Sequence, residues 1–267
     1  IGGTKMRIAG SRDGARFDDP VIIATPHSYE EARKDLADAA RRIAGDEAIE
    51  RFVAGIPAFL SRDRRMVAGG ATHIPDWVGK DVAGDFEKAL NTQAILENDT
   101  ALVGLGEAVF GAGGGSRIMM YLTVSTGVNG VRIVDGAIDR AIYGTAIGHQ
   151  YLSVASPYIK WEDLISGYTI EQKYGKHPRD LGVDSPVWEE LAPIVAIGVY
   201  NSILHWSPER IVLGGSMFNE VGISVDRVRF HLERINTVIP ELPELVHSSL
   251  GDHGGLHGGL ARLRQLA

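Results

Sequence analysis

The feature that most limits the fold is an order of elements that occurs twice: short apolar strands bent at a glycine turn, then helices. Gly2-Gly3-Thr4-Lys5 opens the first round and Ser125-Thr126-Gly127-Val128-Asn129-Gly130 the second. Strands then helices, given twice, predict two related α/β lobes. In the first round, residues 5–9 and 20–25 read as an antiparallel hairpin. Ser28-Tyr29-Glu30-Glu31 has capping-box spacing ahead of a helix to about Ile43. Strands follow at 52–56 and 93–96, with loops and a short hairpin at 62–78 and helical stretches at 85–90 and from about 99 to 110. In the second round, strands are expected at 117–124, 129–134 and 211–213, with a hairpin turn at Asp135-Gly136. Helices are expected at about 161–174, 186–205, 218–236 and 253–265. The run Gly111 to Gly115 is the best candidate for a flexible boundary.

Composition removes several function classes. The 267 residues carry a formal charge of −7, so no global basic field is available to hold nucleic acid. The chain has no cysteine, which excludes disulfides and thiolate metal sites and suits a reducing cytoplasm. No run of about 20 consecutive apolar residues stands out as a membrane span. Ile1-Gly2-Gly3-Thr4 reads as the middle of a motif, which predicts a short strand on its N-terminal side.

Several residues can carry chemistry, and each has a plainer alternative. Glycine lets backbone approach a phosphate closely, and Thr and Ser add hydroxyl donors, but both glycine turns can be simple bends. Gly214-Gly215 after an apolar strand either admits a flat nucleobase or only ends the strand. Asp99, beside Asn98 at a strand end, either takes a proton from a substrate hydroxyl or caps a helix. His149 and Glu162 either hold vicinal sugar hydroxyls or serve as ordinary polar residues. His253 and His257 stand four apart, as metal ligands on one helix face do. The intervening glycines and the lack of a third ligand favour packing.

In sequence these segments resemble the ROK (repressor, open reading frame, kinase) family along the whole chain. Ile1 to Lys5 is similar to its phosphate loop, and Gly55-Ile56-Pro57 to the strand end before its sugar loop. Glu97-Asn98-Asp99 with Gly106-Glu107, and Thr123 to Gly130, resemble its Glu-Asn-Asp segment and second phosphate loop. Ile147-Gly148-His149, Glu162 to Gly167, Pro208 to Gly215 and Gly251 to Leu260 complete the series. The resemblance implies an α/β, two-lobed actin-like ATPase (ribonuclease H-like) fold with a central interlobe cleft. The N-terminal lobe would hold 1–100 plus about 252–267, and the C-terminal lobe 101–251. It implies a glucokinase-like sugar kinase using ATP and Mg²⁺, with a homodimer as the assembly and neither nucleic acid nor membrane as partner. Asp99 would be the catalytic base; Asn98, His149 and Glu162 would hold the sugar. Gly2, Gly3, Thr4, Lys5, Thr126 and Gly127 would surround phosphates, and Gly214 and Gly215 would border adenosine.

Four departures qualify that picture. The family's phosphate-loop Asp would lie just before Ile1. Ala146 stands where the family has a Glu three residues before its His, which removes one acceptor for a sugar hydroxyl. Leu152 to Trp161 lacks the three zinc-binding cysteines, so no structural zinc is expected, with Tyr158 and Trp161 packing locally instead. Asn129 replaces a usual glycine, and a positive φ is the geometry it would have to tolerate. The alternatives to a kinase are a non-catalytic sugar-binding regulator, since part of the family are repressors, and a ligand-binding pseudokinase of the same fold.

Overall fold

The computed structural model describes residues 1–154, 157–218 and 221–266. The chain divides into two compact units. One comprises residues 1–106, 140–144 and 252–267, and the other residues 107–139 and 145–251. In chain order the first unit begins with strands β1 (Lys5–Ile8) and β2 (Val21–Ala24), helix α1 (Tyr29–Ala44) and strand β3 (Arg51–Ile56). A hairpin of β4 (Phe59–Leu60) and β5 (Val67–Gly69) follows, then α2 (Val82–Leu90), β6 (Gln93–Asn98) and α3 (Asp99–Phe110), whose residues from Glu107 on belong to the second unit. The second unit holds β7 (Ile118–Val124), β8 (Val128–Val134), β9 (Ala137–Ile138), α4 (Glu162–Ile165), α5 (Gly167–Tyr174) and α6 (Pro186–Trp206). It continues with β10 (Arg210–Gly214), α7 (Val225–Ile235) and β11 (Glu244–His247). Helix α8 (Gly254–Arg264) returns to the first unit.

Local chemistry sets most of these boundaries. Ser28 accepts a hydrogen bond from the Glu31 N–H and so caps the start of α1, the serine half of the anticipated capping box, and Gly45 at φ 60° ends it. Tyr29, Ala32, Leu36 and Ala40 then recur at helical spacing and face the core with Met6, Ile56, Trp77 and Phe86. Asp135 and Gly136 both take positive φ (48° and 73°), the geometry that closes a tight hairpin between β8 and β9.

The second unit is built on a five-stranded sheet of order β11-β10-β7-β8-β9. Strand β7 runs parallel to β10 and antiparallel to β8. Central strands covered on both faces read as continuous apolar runs, as Met119 to Leu122 and Ile211 to Leu213 do, all buried. Helix α6 supplies Leu191, Val195 and Val199 to the same core. By length and composition alone, with a mean hydropathy of 1.2, it is apolar enough to cross a membrane, although polar residues interrupt its apolar run. Its buried residues pack under this sheet instead, and Gly198 makes room for the fully buried Trp161 indole, whose Nε1 donates to the Ile194 carbonyl.

Three expectations need correction. The helix expected over 161–174 is two helices, broken at Ser166. That residue is extended (ψ 149°) and its hydroxyl caps α5 by accepting from the Thr169 N–H. The helix expected from 218 starts at Val225 behind a Ser224 cap, after a 3₁₀ turn at Ser216–Phe218; Asn219 and Glu220 lie outside the described residues. Strand β11 was not anticipated, since only four residues pair and one of them, Leu245, is buried.

Helix α8 meets α3 through glycine. A Cβ on Gly106 would stand 2.5 Å from the Gly254 carbonyl oxygen and 2.8 Å from the Gly258 nitrogen, and one on Gly258 would strike the Leu102 carbonyl. Backbone cannot yield there as a side chain would. The Gly258→Ala variant is expected to lose roughly 1–3 kcal/mol or more. Gly259, with open space about its Cβ position, is expected to gain about 0.5–1 kcal/mol as Ala from helix propensity alone. Denaturant midpoints of the two variants moving in opposite directions would bear this out.

Candidate active-site elements

In the first unit the parallel register of β3 and β6 sets Ile56 beside Asn98, so β6 delivers Asn98 and Asp99 to the carboxyl ends of these strands. That end is where open α/β sheets bind ligands. Asn98, not Asp99, caps α3: its Oδ1 accepts from the Ala101 N–H at 3.2 Å, and its Nδ2 points to the Ile56 and Ala58 carbonyls at 3.4 and 3.5 Å. Asp99 is therefore released from the capping role that was its plainer alternative. Its Oδ1 accepts from the Thr100 N–H at 2.7 Å. Desolvation pushes the Asp99 carboxyl above the usual carboxylate range, opposed by the charge on the Ile1 amine.

The backbone around Asp99 is tightly held. A Cβ on Gly55 would come within 3.1 Å of the Asp99 Cα, so glycine at the end of β3 permits the approach. The Ile1 amine donates to the Gly55 carbonyl at 3.0 Å. Gly2 to Lys5 form a turn closed by the Gly2 N–H and the Lys5 carbonyl at 2.9 Å. Thr25 fastens this turn by donating its hydroxyl to the Gly2 carbonyl at 2.7 Å, and the His73 side chain packs on Gly3, where a Cβ would stand 2.7 Å away. Thr25 and His73 were not anticipated: they lie 23 and 70 residues from the atoms they hold, and nothing in their local sequence marks them. Glu97, 2% exposed, is paired with Arg64 and with Arg262 (Nε at 2.9 Å), which ties the loop between β4 and β5 and helix α8 to the end of β6.

In the second unit the structure brings His149, Glu162 and Gly127 together. His149 Nε2 lies 2.9 Å from Glu162 Oε1, and Glu162 Oε2 is 3.6 Å from the position of a Cβ on Gly127. The 3₁₀ turn Ile147–His149 is seated on β8, where Gly148 packs against Val128. The turn from β7 to β8 holds exposed Thr126, and its Ser125 carbonyl accepts from the Gly167 N–H at 2.6 Å. Gly215, at φ +89°, abuts Val124 and Thr123, which brings the Ser216 hydroxyl to 3.3 Å from that of Ser125. The two glycine segments of this unit, 125–127 and 214–216, are thus neighbours. Asn129 lies within β8 opposite Thr123 and is not among the positive-φ residues, contrary to the geometry anticipated for it. Its Oδ1 is buried without a partner, a second feature the sequence did not reveal.

Among the described residues no group of three or more His, Cys, Asp or Glu is placed to hold a metal. His253 and His257 instead flank Phe17, with ring centroids 6.2 and 4.8 Å away. Magnesium carried on nucleotide phosphates would need no all-protein cage. The orphaned Asn129 amide beside the glycine turn fits a polar ligand there. Trp161 is buried, while Tyr158 is 67% exposed with its ring 5.7 Å from that of Tyr151; Ala155 and Ser156 lie outside the described residues.

The ROK family pattern matches residues 1–265. The chain belongs to the ROK family. A fructokinase from Pediococcus pentosaceus is 27% identical over 202 residues, covering 71% of this ROK protein and 70% of its own length. The crystal structure of the ROK hexokinase from Thermus thermophilus superposes with a TM-score of 0.80 at 26% identity, covering 100% of this chain and 97% of that one. A ROK family glucokinase from Streptomyces griseus, solved with glucose and AMPPNP, gives a TM-score of 0.82 at 23% identity, covering 99% and 97%. The fold class is the α/β actin-like ATPase fold expected from the sequence.

The raised pKa of Asp99 has a stability consequence. A carboxyl whose folded pKa lies above its unfolded one destabilises the fold at any pH above both. The penalty fades as pH falls through the folded value and is gone below the unfolded one, about 3.9. Asp99→Asn preserves the acceptor for the Thr100 N–H and removes the buried charge. Its thermal midpoint is expected to equal or exceed that of the parent at pH 7.5, with the gain vanishing below about pH 4. A midpoint lowered equally at both pH values would show that Asp99 is a structural residue.

Proposed function

We propose that this chain transfers the terminal phosphoryl group of ATP to a hydroxyl of a hexose or hexose derivative, with Asp99 as general base. The observation that supports this most is a desolvated carboxylate at the end of β6, freed from helix capping by its neighbour Asn98. A carboxylate of raised pKa is a better proton acceptor at neutral pH than an ordinary one. The hydroxyl proton passes to Asp99, the sugar oxygen bonds to the terminal phosphorus, and the bond to the bridging oxygen breaks to leave ADP.

Other groups take binding roles. Glu162 and His149, whose Oε1 and Nε2 lie 2.9 Å apart, offer acceptors and a donor to vicinal hydroxyls. Asn98 retains a lone pair on Oδ1 for the same sugar. Gly2, Gly3, Thr4 and Lys5, with Thr126 and Gly127, receive phosphate oxygens through backbone N–H, hydroxyl and ammonium groups. Gly214 and Gly215 present backbone without side chains to adenosine. Mg²⁺ carried on the nucleotide supplies charge neutralisation at the transferred group. Relatives named fructokinase and hexokinase support the reaction class. Ala146, which provides no carboxylate next to His149, favours a narrower or altered sugar preference, and a ligand-binding protein without turnover is the second reading it supports.

A coupled ADP-release assay over hexoses and N-acetylhexosamines is expected to find at least one sugar that raises ADP production. Asp99→Asn is expected to lower kcat by about 10²–10⁴-fold while calorimetric sugar affinity stays within about threefold. No response to any sugar would remove the kinase reading and leave the binding one.

A further inference from the structure

His73 is held firmly in the first unit by its neighbours in sequence. Buried Ala71, Ile74 and Trp77 anchor the segment that carries it. The Ile74 N–H donates to the Ala71 carbonyl at 3.0 Å, and the Trp77 N–H to the Ile74 carbonyl at 3.0 Å. The Asp76 carboxylate accepts from the Tyr29 N–H at 2.8 Å, which joins the segment to the start of α1. The Trp77 and Tyr29 rings meet edge to face with centroids 5.0 Å apart. Between these anchors His73 is exposed, and among the described residues neither of its ring nitrogens has a hydrogen-bond or ionic partner.

Carbon, not nitrogen, fixes the ring. A Cβ on Gly3 would stand 2.7 Å from the His73 Cβ, 2.9 Å from its Cγ and 3.5 Å from its Cδ2. The side chain therefore leans on the backbone of the glycine turn, and a residue larger than glycine at position 3 would collide with it. The ring turns its Cδ2 edge toward the turn, and Nε2 is the nitrogen of that edge. Nε2 can donate a hydrogen bond in both the neutral and the charged imidazole. Thr4 and Lys5 of the same turn are exposed as well. The turn also leads to Asp99, because the Ile1 nitrogen donates to the Gly55 carbonyl at 3.0 Å and Gly55 abuts the Asp99 Cα. A phosphoryl group received on this turn is thus close to the proposed base, as a group about to be transferred must be.

We propose that His73 is a phosphate-binding residue, donating from Nε2 to an oxygen of the terminal phosphate of ATP on the Gly2–Lys5 turn. The assignment rests on the kinase reading above and adds to it a residue that separates a nucleoside triphosphate from a diphosphate. A donor already fixed by packing loses little freedom when the phosphate arrives. Hydrogen bonds to a charged oxygen are the strong ones, so a single contact can set this preference.

Calorimetric titration with the magnesium complexes of AMPPNP and of ADP tests this, on the parent and on two variants. His73→Ala keeps the Cβ that touches Gly3 and removes the ring. His73→Gln restores an amide donor at the reach of Nε2. His73→Ala is expected to weaken AMPPNP binding by at least about tenfold and ADP binding by less than about twofold. His73→Gln is expected to recover AMPPNP affinity to within about threefold of the parent, with both thermal midpoints within about 2 °C of it. Equal losses for the two nucleotides, a lowered midpoint, or no recovery by Gln would overturn the proposal and leave His73 a structural prop of the turn. Unchanged AMPPNP affinity in His73→Ala would overturn it while leaving the kinase reading to the ADP-release assay. A parent that binds neither nucleotide would overturn both.

Discussion

Glu97 is a carboxylate with almost no access to water, and its burial is tolerable only because Arg64 and Arg262 meet it. An unpaired buried charge costs several kcal/mol, so removing both arginines would harm the site more than the pairs themselves stabilise it. The two partners come from opposite ends of the chain. One sits in the loop after β4, at a residue with positive φ, and the other in α8. Their shared acceptor immediately precedes Asn98 and Asp99. The position of the proposed base therefore depends on an ionic knot that draws an early loop, a central strand and the last helix to one point.

Each unit, taken by itself, solves a similar problem with different side chains. In the first, a glycine at the end of β3 allows Asp99 to come close, and Thr25 and His73 fasten the turn beside it. In the second, Gly215 packs on Val124 and Gly148 on β8, so that the serine pair and the His149–Glu162 pair are held by backbone contacts. Both use glycine where two backbones must touch.

Much of this was legible in the chain itself, because local rules fixed it. Ser28 and Glu31 announce α1, Asp135 and Gly136 announce a hairpin, and the apolar runs of β7 and β10 announce covered strands. Asp99 was readable because it sits where a strand turns into a helix, although the sequence alone left base and cap equally open until Asn98 was seen to take the cap. What was hidden depends on distance along the chain. Ser166 looks like one more helical residue until its hydroxyl is found bonding to the Thr169 N–H. Thr25, His73 and the buried Asn129 amide matter through contacts that no local window contains. Strand β11 escaped notice because a parallel partner, not its own four residues, makes it a strand.

Helix α8 carries four glycines in eleven residues. Relative to alanine they disfavour the helical state by roughly 3 kcal/mol in total, so this segment is a poor helix in isolation. It becomes ordered because α3 offers a backbone surface that only bare backbone can match. Its helicity is thus conditional on docking, and whatever separates α8 from α3 also removes the support on which its helical backbone depends.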